Sequence, residues 1–135
     1  MSKIKFYRCK KCGAVIAALK ECSCNCLSCC GENMEELIPN TNDGAVEKHV
    51  PVVELATDPC RLTKLPVGMI KIGAVEHPMT EEHHISWIYL EMERGGMIYY
   101  FNDLEEAKVK LLVQEKVNFV YAYCNLHGLW KTEVK

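Results

Sequence analysis

The sequence holds no apolar run near the roughly 20 residues that a membrane-spanning helix requires. Its first ten residues, MSKIKFYRCK, contain no apolar leader stretch, so the chain is expected in the cytoplasm. It also lacks an excess of positive charge. Sixteen Lys and Arg stand against 18 Asp and Glu, for a net charge of −2. Phosphate binding normally shows as a basic face, so no nucleic-acid partner is expected. Neither is a membrane partner. Apolar residues are not scarce: they make up 49% of the chain, with 25% charged, which argues against disorder. The 135 residues suffice for a small module followed by a modest domain.

What the sequence has in excess is cysteine. There are nine, and seven fall in the first 30 residues: Cys9, Cys12, Cys22, Cys24, Cys26, Cys29 and Cys30. Cys60 and Cys124 complete the set. The count is odd and no export signal is visible, and cytosolic thiols are kept reduced. Metal is therefore the better reading than disulfides. The five histidines, His49, His77, His83, His84 and His127, all lie in the remainder of the chain. Thiolates at one end and imidazoles at the other point to two metal sites of different chemistry.

The first module runs from about Ile4 to Ile38 within residues 1–38. A strand over 3–7 delivers Cys9 and Cys12 to a turn, Gly13 lets the chain curl, and 15–19 returns as a strand. Residues 21–31 read as a cysteine-rich loop with little to pack. So short a module has too small a core to fold unaided, and a metal cross-link is physically expected. The turn formers Pro39-Asn40-Thr41-Asn42-Asp43-Gly44 mark the boundary. Residues 39–135 read as all-β. Short segments rich in Val, Ile and Tyr predict strands over 48–55, 67–75, 83–92, 97–101, 109–113, 119–123 and 129–132. Seven short strands in so few residues favour a β-sandwich. Residues 103–107 suit a helical turn.

Cys9-x2-Cys12 is a metal knuckle. Its short spacer lets both sulfurs reach one ion while turn N–H groups stabilise their charge. Either Cys29-Cys30 or Cys26-x2-Cys29 would complete a tetrahedron. Spacing alone favours Cys26 with Cys29, because adjacent side chains tend to diverge. Tetrahedral S4 sites suit zinc and iron alike. A structural zinc clip and a disulfide cluster are the bland alternatives.

In the second region, His77-x5-His83 puts two imidazoles at either end of a tight turn. Cys124-x2-His127 is a mixed thiolate–imidazole knuckle, and His49 sits at the start of a strand. Loops at one end of a sandwich bring such residues together. A structural zinc site closes at four ligands. Up to four imidazoles and one thiolate on a six-coordinate metal leave one position open for redox or substrate chemistry. Iron fits better than zinc, with the thiolate pushing electron density onto it. His84 is read as a non-ligand, since successive strand side chains point to opposite faces. Each of the other histidines has the ordinary alternative of a surface or core residue. Glu47 and Lys48, taken alone, read as solvated loop charges.

Several stretches together resemble the desulfoferrodoxins, two-iron superoxide reductases. They are FYRCKKCG (6–13), CCGENM (29–34), DGAVEKHVPV (43–52), VGMIKIGAVEHPM (67–79), HHISWI (83–88) and YCNLHGLWK (123–131). EKHVPV and CNLHG-x-W are the most specific, and the matches run through nearly the whole chain. The resemblance implies a small desulforedoxin-like domain, residues 1–38, holding a rubredoxin-type iron. It also implies an immunoglobulin-like β-sandwich, residues 39–135, holding the second of two non-haem irons. The first iron then takes Cys9, Cys12, Cys29 and Cys30, against the spacing preference for Cys26. The second takes His49, His77, His83 and His127 in a plane, with Cys124 axial. The implied reaction is one-electron reduction of superoxide to hydrogen peroxide without oxygen evolution. The electron comes from an external donor such as rubredoxin, and the chain is a homodimer. Lys48 would attract the anion. Glu47 matches the family's carboxylate that closes onto the ferric iron after product leaves. The N–H groups of Leu126 and His127 would hydrogen-bond the Cys124 sulfur. An electron-transfer protein without turnover is the alternative. A structural zinc protein is the third class. Cys22, Cys24 and Cys26 exceed what the family pattern needs, and Cys60 reads as an incidental thiol.

Overall fold

The computed structural model describes residues 4–20, 27–41, 46–57, 66–101, 106–112 and 115–134. The chain divides into two units, Met1–Ile38 and Pro39–Lys135.

In the first unit, β1 (Lys5–Arg8) pairs antiparallel with β2 (Val15–Ala18) on one side. Beyond the hairpin of β3 (Ser28–Cys29) and β4 (Glu32–Asn33), β5 (Glu35–Glu36) pairs with the other side of β1. Ile4, Phe6 and Cys9 are its buried apolar residues among those described. The expected loop over 21–31 is thus partly a hairpin. Cys30 and Gly31 form its two-residue connection, with φ of 53° and 77°. Two consecutive positive φ values match the twist that joins tight antiparallel strands. Cys22, Cys24, Cys26 and Cys60 lie outside the described residues.

Among its described residues the second unit is all-β apart from one helical turn, α1 (Val46–His49). Its strands are β6 (Pro51–Thr57), β7 (Pro66–Ile72), β8 (Ile85–Met92), β9 (Gly96–Tyr100), β10 (Lys108–Leu112), β11 (Val117–Cys124) and β12 (Gly128–Glu133). They form two antiparallel sheets, ordered β10-β7-β6 and β12-β11-β8-β9. The chain changes sheet three times, between β7 and β8, between β9 and β10 and between β10 and β11, in the Greek-key manner of immunoglobulin-like sandwiches. The core takes alternate residues of each strand: Ile70 and Ile72 from β7, Ile88 and Leu90 from β8, Val120, Ala122 and Cys124 from β11. Cys124 is therefore the last member of an inward-facing row, and its sulfur is delivered to the end of the core.

All seven expected strands are present, with shifted ends. The strand expected from Lys48 starts only at Pro51, because Lys48 and His49 belong to α1. Pro51 disfavours helical geometry at Val50, which stops the turn at His49. The strand expected to reach Val75 ends at Ile72, where Gly73 takes φ +83°. The expected helical turn over 103–107 is not seen in its described part. Glu106 takes no regular form, Ala107 is a bend, and the Ala107 carbonyl accepts the Ile72 N–H at 2.8 Å. Residues 103–105 lie outside the described residues. Among the described residues, no helix is long and apolar enough to cross a membrane.

Candidate metal centres

The sulfurs of Cys9, Cys12, Cys29 and Cys30 all lie within 4.8 Å of one another. Cys12 Sγ is 3.7 Å from Cys29 Sγ, and Cys29 Sγ is 3.8 Å from Cys30 Sγ. The adjacent cysteines converge because Cys30 occupies the hairpin loop in a left-handed conformation. That backbone state is costly for a residue with a side chain and is found where the surroundings demand it. The spacing argument for Cys26 failed to allow for this turn. In the facing knuckle, the Cys12 N–H donates to Cys9 Sγ at 3.5 Å, and the Gly13 N–H donates to the Cys9 carbonyl at 2.9 Å. The Cys12 amide pulls the Cys9 thiol down to about 6. Hydrogen bonds to Cys9 and Cys12 push Cys29 up to about 12. Four sulfurs this close cannot all carry charge without a cation between them. This donor set fits a tetrahedral thiolate-loving metal.

The second centre assembles from α1, the β7–β8 connection and the β11–β12 turn. Neighbouring ring centroids are 4.6 Å apart for His49–His77, 4.7 Å for His77–His83, 4.9 Å for His83–His127 and 4.8 Å for His127–His49. Successive rings are nearly perpendicular, at 75° to 83°. The His49–His83 diagonal is 6.1 Å. Four imidazoles thus close a nearly square ring. The ligand atoms of His49, His83, Cys124 and His127 lie within 4.8 Å of one another, and the His77 ring closes the square between His49 and His83. Cys124 Sγ is 3.8 Å from His127 Nδ1.

The tautomers fit a metal. His77 Nδ1 is 2.6 Å from the Pro78 carbonyl. A carbonyl only accepts, so Nδ1 carries the proton and the Nε2 lone pair is left over. The Nε2 atoms of His77 and His83 are buried without a hydrogen-bond partner among the described residues. An unpaired buried nitrogen is expensive, and a cation at the ring centre would satisfy both. Burial, with the other imidazoles' charges, lowers His77 to about 4. Burial likewise lowers His83, and the Lys48 charge contributes to that shift. Both rings are thus neutral and ready to ligate near pH 7. Burial raises the Cys124 thiol, while the N–H groups of His127 and Leu126 act in the opposite direction, toward the thiolate.

His84 is not in this group of ligand atoms, and it lies before β8 rather than in a strand. Its Nδ1–H donates to the Thr80 carbonyl at 2.9 Å. Lys48 is exposed, and the Glu47 side chain lies outside the described residues. Two supporting residues escaped the sequence reading. Trp130 stacks on His49 at 4.8 Å and 22°, and its Nε1–H donates to the His127 carbonyl at 3.0 Å. A Cβ on Gly73 would stand 2.5 Å from the Lys48 carbonyl carbon and oxygen, so only glycine lets the two loops meet there. The Gly that interrupts a strand pattern was a usable signal; the Trp130 stack depends on strand pairing and was not.

A β-sandwich with a ring of imidazoles over a buried thiolate, together with a separate four-cysteine knuckle, defines a class of two-centre non-haem metalloprotein. The sequence model of the desulfoferrodoxins matches residues 41–133. A desulfoferrodoxin of Syntrophotalea carbinolica is 38% identical over 135 aligned residues, covering 97% of each chain. A superoxide reductase of Pyrococcus horikoshii is 37% identical, over 70% of this chain and 92% of its own. The crystal structure of the superoxide reductase from Treponema pallidum superposes with a TM-score of 0.76 at 26% identity, covering 96% of this chain and 97% of that one. The chain belongs to the desulfoferrodoxin family.

Proposed function

We infer that the chain is a superoxide reductase, reducing superoxide with one electron and two protons to hydrogen peroxide. The observation that carries this reading is the closed ring of four imidazoles over the buried Cys124 thiol, with two buried Nε2 atoms that have no hydrogen-bond partner among the described residues. In this reading His49, His77, His83, His127 and Cys124 hold one iron, and Cys9, Cys12, Cys29 and Cys30 hold the other. Residues 1–38 then form the desulforedoxin-like domain and residues 39–135 the reductase domain. Ferrous iron at the imidazole site supplies the electron.

The chain's own residues prepare the encounter. Lys48 is exposed, yet its charge is felt at His83, which suits a residue that draws an anion toward the ring. The Leu126 and His127 amides face the sulfur and favour its anionic form. Gly73 seats the backbone of Lys48 against the loop that leads to His77. Glu47 is proposed as the carboxylate that occupies the open position once product has left. A rubredoxin-like protein is proposed as the electron donor. Cytoplasmic location, a homodimer and a role in superoxide detoxification complete the proposal.

The test is iron content and a visible spectrum before and after mild oxidation, followed by superoxide consumption with oxygen evolution monitored. Two irons per chain, a thiolate-to-iron band on oxidation and consumption without oxygen release are expected. A colourless, zinc-containing chain without turnover would overturn the reading.

A further inference from the structure

We propose that Asn125 is a positioning residue, fixing His83 relative to Cys124 by gripping the peptide groups on both sides of it. The inference rests on the imidazole–thiolate reading of the site. Asn125 directly follows Cys124 and opens the β11–β12 turn. Its side-chain Oδ1 accepts the His84 N–H at 2.8 Å. Its Nδ2 donates to the Glu82 carbonyl at 2.9 Å. Its own N–H donates to the His84 carbonyl at 3.1 Å. Three hydrogen bonds therefore run from one residue to the two neighbours of His83.

The other side of His83 is held locally. The Thr80 hydroxyl oxygen accepts the His83 N–H at 3.0 Å, and the Thr80 N–H donates to the His83 carbonyl at 2.9 Å. The loop is thus pinned by Thr80 from within and by Asn125 from across the sheet end. No bond of this set reaches the His83 ring. The ring is placed through its backbone, and its Nε2 is left facing inward without a partner among the described residues.

The residue type follows from the geometry. One group must accept from an N–H and donate to a C=O that lie two residues apart, at a short reach from the main chain. The Asn amide does both. Asp loses the donor, and Gln is one methylene longer. Cys124 ends β11 while His83 lies in the connection just before β8, and β8 and β11 slip register beside them, where Tyr123 pairs with Trp87 but Cys124 with Ile85. A bulge next to a site re-aims side chains. Asn125 then locks the re-aimed loop to the residue adjoining the thiolate. Groups that orient metal ligands commonly change metal affinity by about 10–100-fold when removed.

The test uses the full chain, loaded anaerobically with ferrous iron and titrated with a competing chelator. Asn125→Ala is expected to weaken iron at the imidazole site by about 10-fold or more, leaving the four-cysteine centre unchanged. The thiolate-to-iron band of the oxidised protein should broaden or shift. In metal-free protein the His84 amide should exchange with solvent faster. The decisive comparison is a cycle with His83→Ala. Once His83 is gone, adding Asn125→Ala should change iron affinity less than about twofold. An equal loss in both backgrounds would show that Asn125 acts on the fold generally, and would overturn the inference. So would an unchanged affinity and spectrum in Asn125→Ala. Should that variant not fold, Asn125→Asp keeps the acceptor for His84 but sets a carboxylate oxygen, instead of a donor, against the Glu82 carbonyl. It too is expected to weaken iron at the imidazole site, and wild-type behaviour would overturn the inference. A wild-type chain that takes no iron beyond the cysteine centre would overturn the site reading itself, and this inference with it.

Discussion

The two centres differ in what surrounds them. In the first unit Cys12 and Cys30 are exposed, and few described residues are buried around the cluster. In the second, His49, His77 and Cys124 are almost fully buried, and a core of Ile, Leu and Val residues runs up to the thiol. One unit is short of core and gains its cross-link from the metal. The other has a complete sandwich and offers the metal a preformed seat. Chemistry that needs an open position and tuned ligands belongs with the second arrangement. A metal that mainly holds a fold together belongs with the first.

The sharpest way to break this comparison is to strip both metals. Chelation under reducing conditions should abolish amide protection in the first unit and leave the β8–β11 ladder protected. Coupled unfolding of both, seen by hydrogen exchange, would remove the distinction. Next in size is Cys124→Ser. We expect loss of the long-wavelength band and a fall of more than about 100-fold in superoxide consumption, exceeding the usual effect of removing a supporting partner. The cysteine-centre spectrum should stay as it was. Lys48→Ala should slow superoxide consumption about 10-fold at low salt and flatten its dependence on ionic strength, with iron content unchanged. An unaltered rate across ionic strengths would exclude steering.

The acid response should also separate the units. His77 titrates near 4 in the metal-free fold, below its usual 6.5, because it is buried. An unfolded chain takes up that proton first. The stabilising contribution is therefore complete above pH 6.5 and is lost as pH falls through about 4. Thermal melts of metal-free protein should show it, and His77→Phe should reduce it. The smallest effect is reserved for Trp130→Phe. An aromatic face is kept against His49, but the bond to the His127 carbonyl goes and a small cavity opens at this buried position, costing about 1–3 kcal/mol of stability while leaving iron content unchanged. Calorimetry would measure it.

Much of this was legible in the sequence. Short segments rich in Val, Ile and Tyr marked all seven sandwich strands, and short ligand spacings marked both knuckles. What escaped was set by closure between distant segments. Spacing preferred Cys26 to Cys30 because nothing local announces that Cys30 takes a left-handed turn. His49 was placed on a strand although Val50-Pro51 already argued for a break before it. Trp130 and Asn125 reach His127, Glu82 and His84 only after β8, β11 and β12 pair. Their partners are fixed by register, which periodicity alone leaves undetermined.

The stack of Trp130 on His49 has a consequence for the bench. The sequence contains only two tryptophans, and the other is Trp87. With Trp87→Phe the chain would have a single indole emitter, in direct contact with a ring of the imidazole site. A paramagnetic, light-absorbing ion in that ring would darken it, and its departure would restore the emission. Occupancy of the buried centre then becomes readable by fluorescence in dilute solution, free of the colour of the cysteine centre.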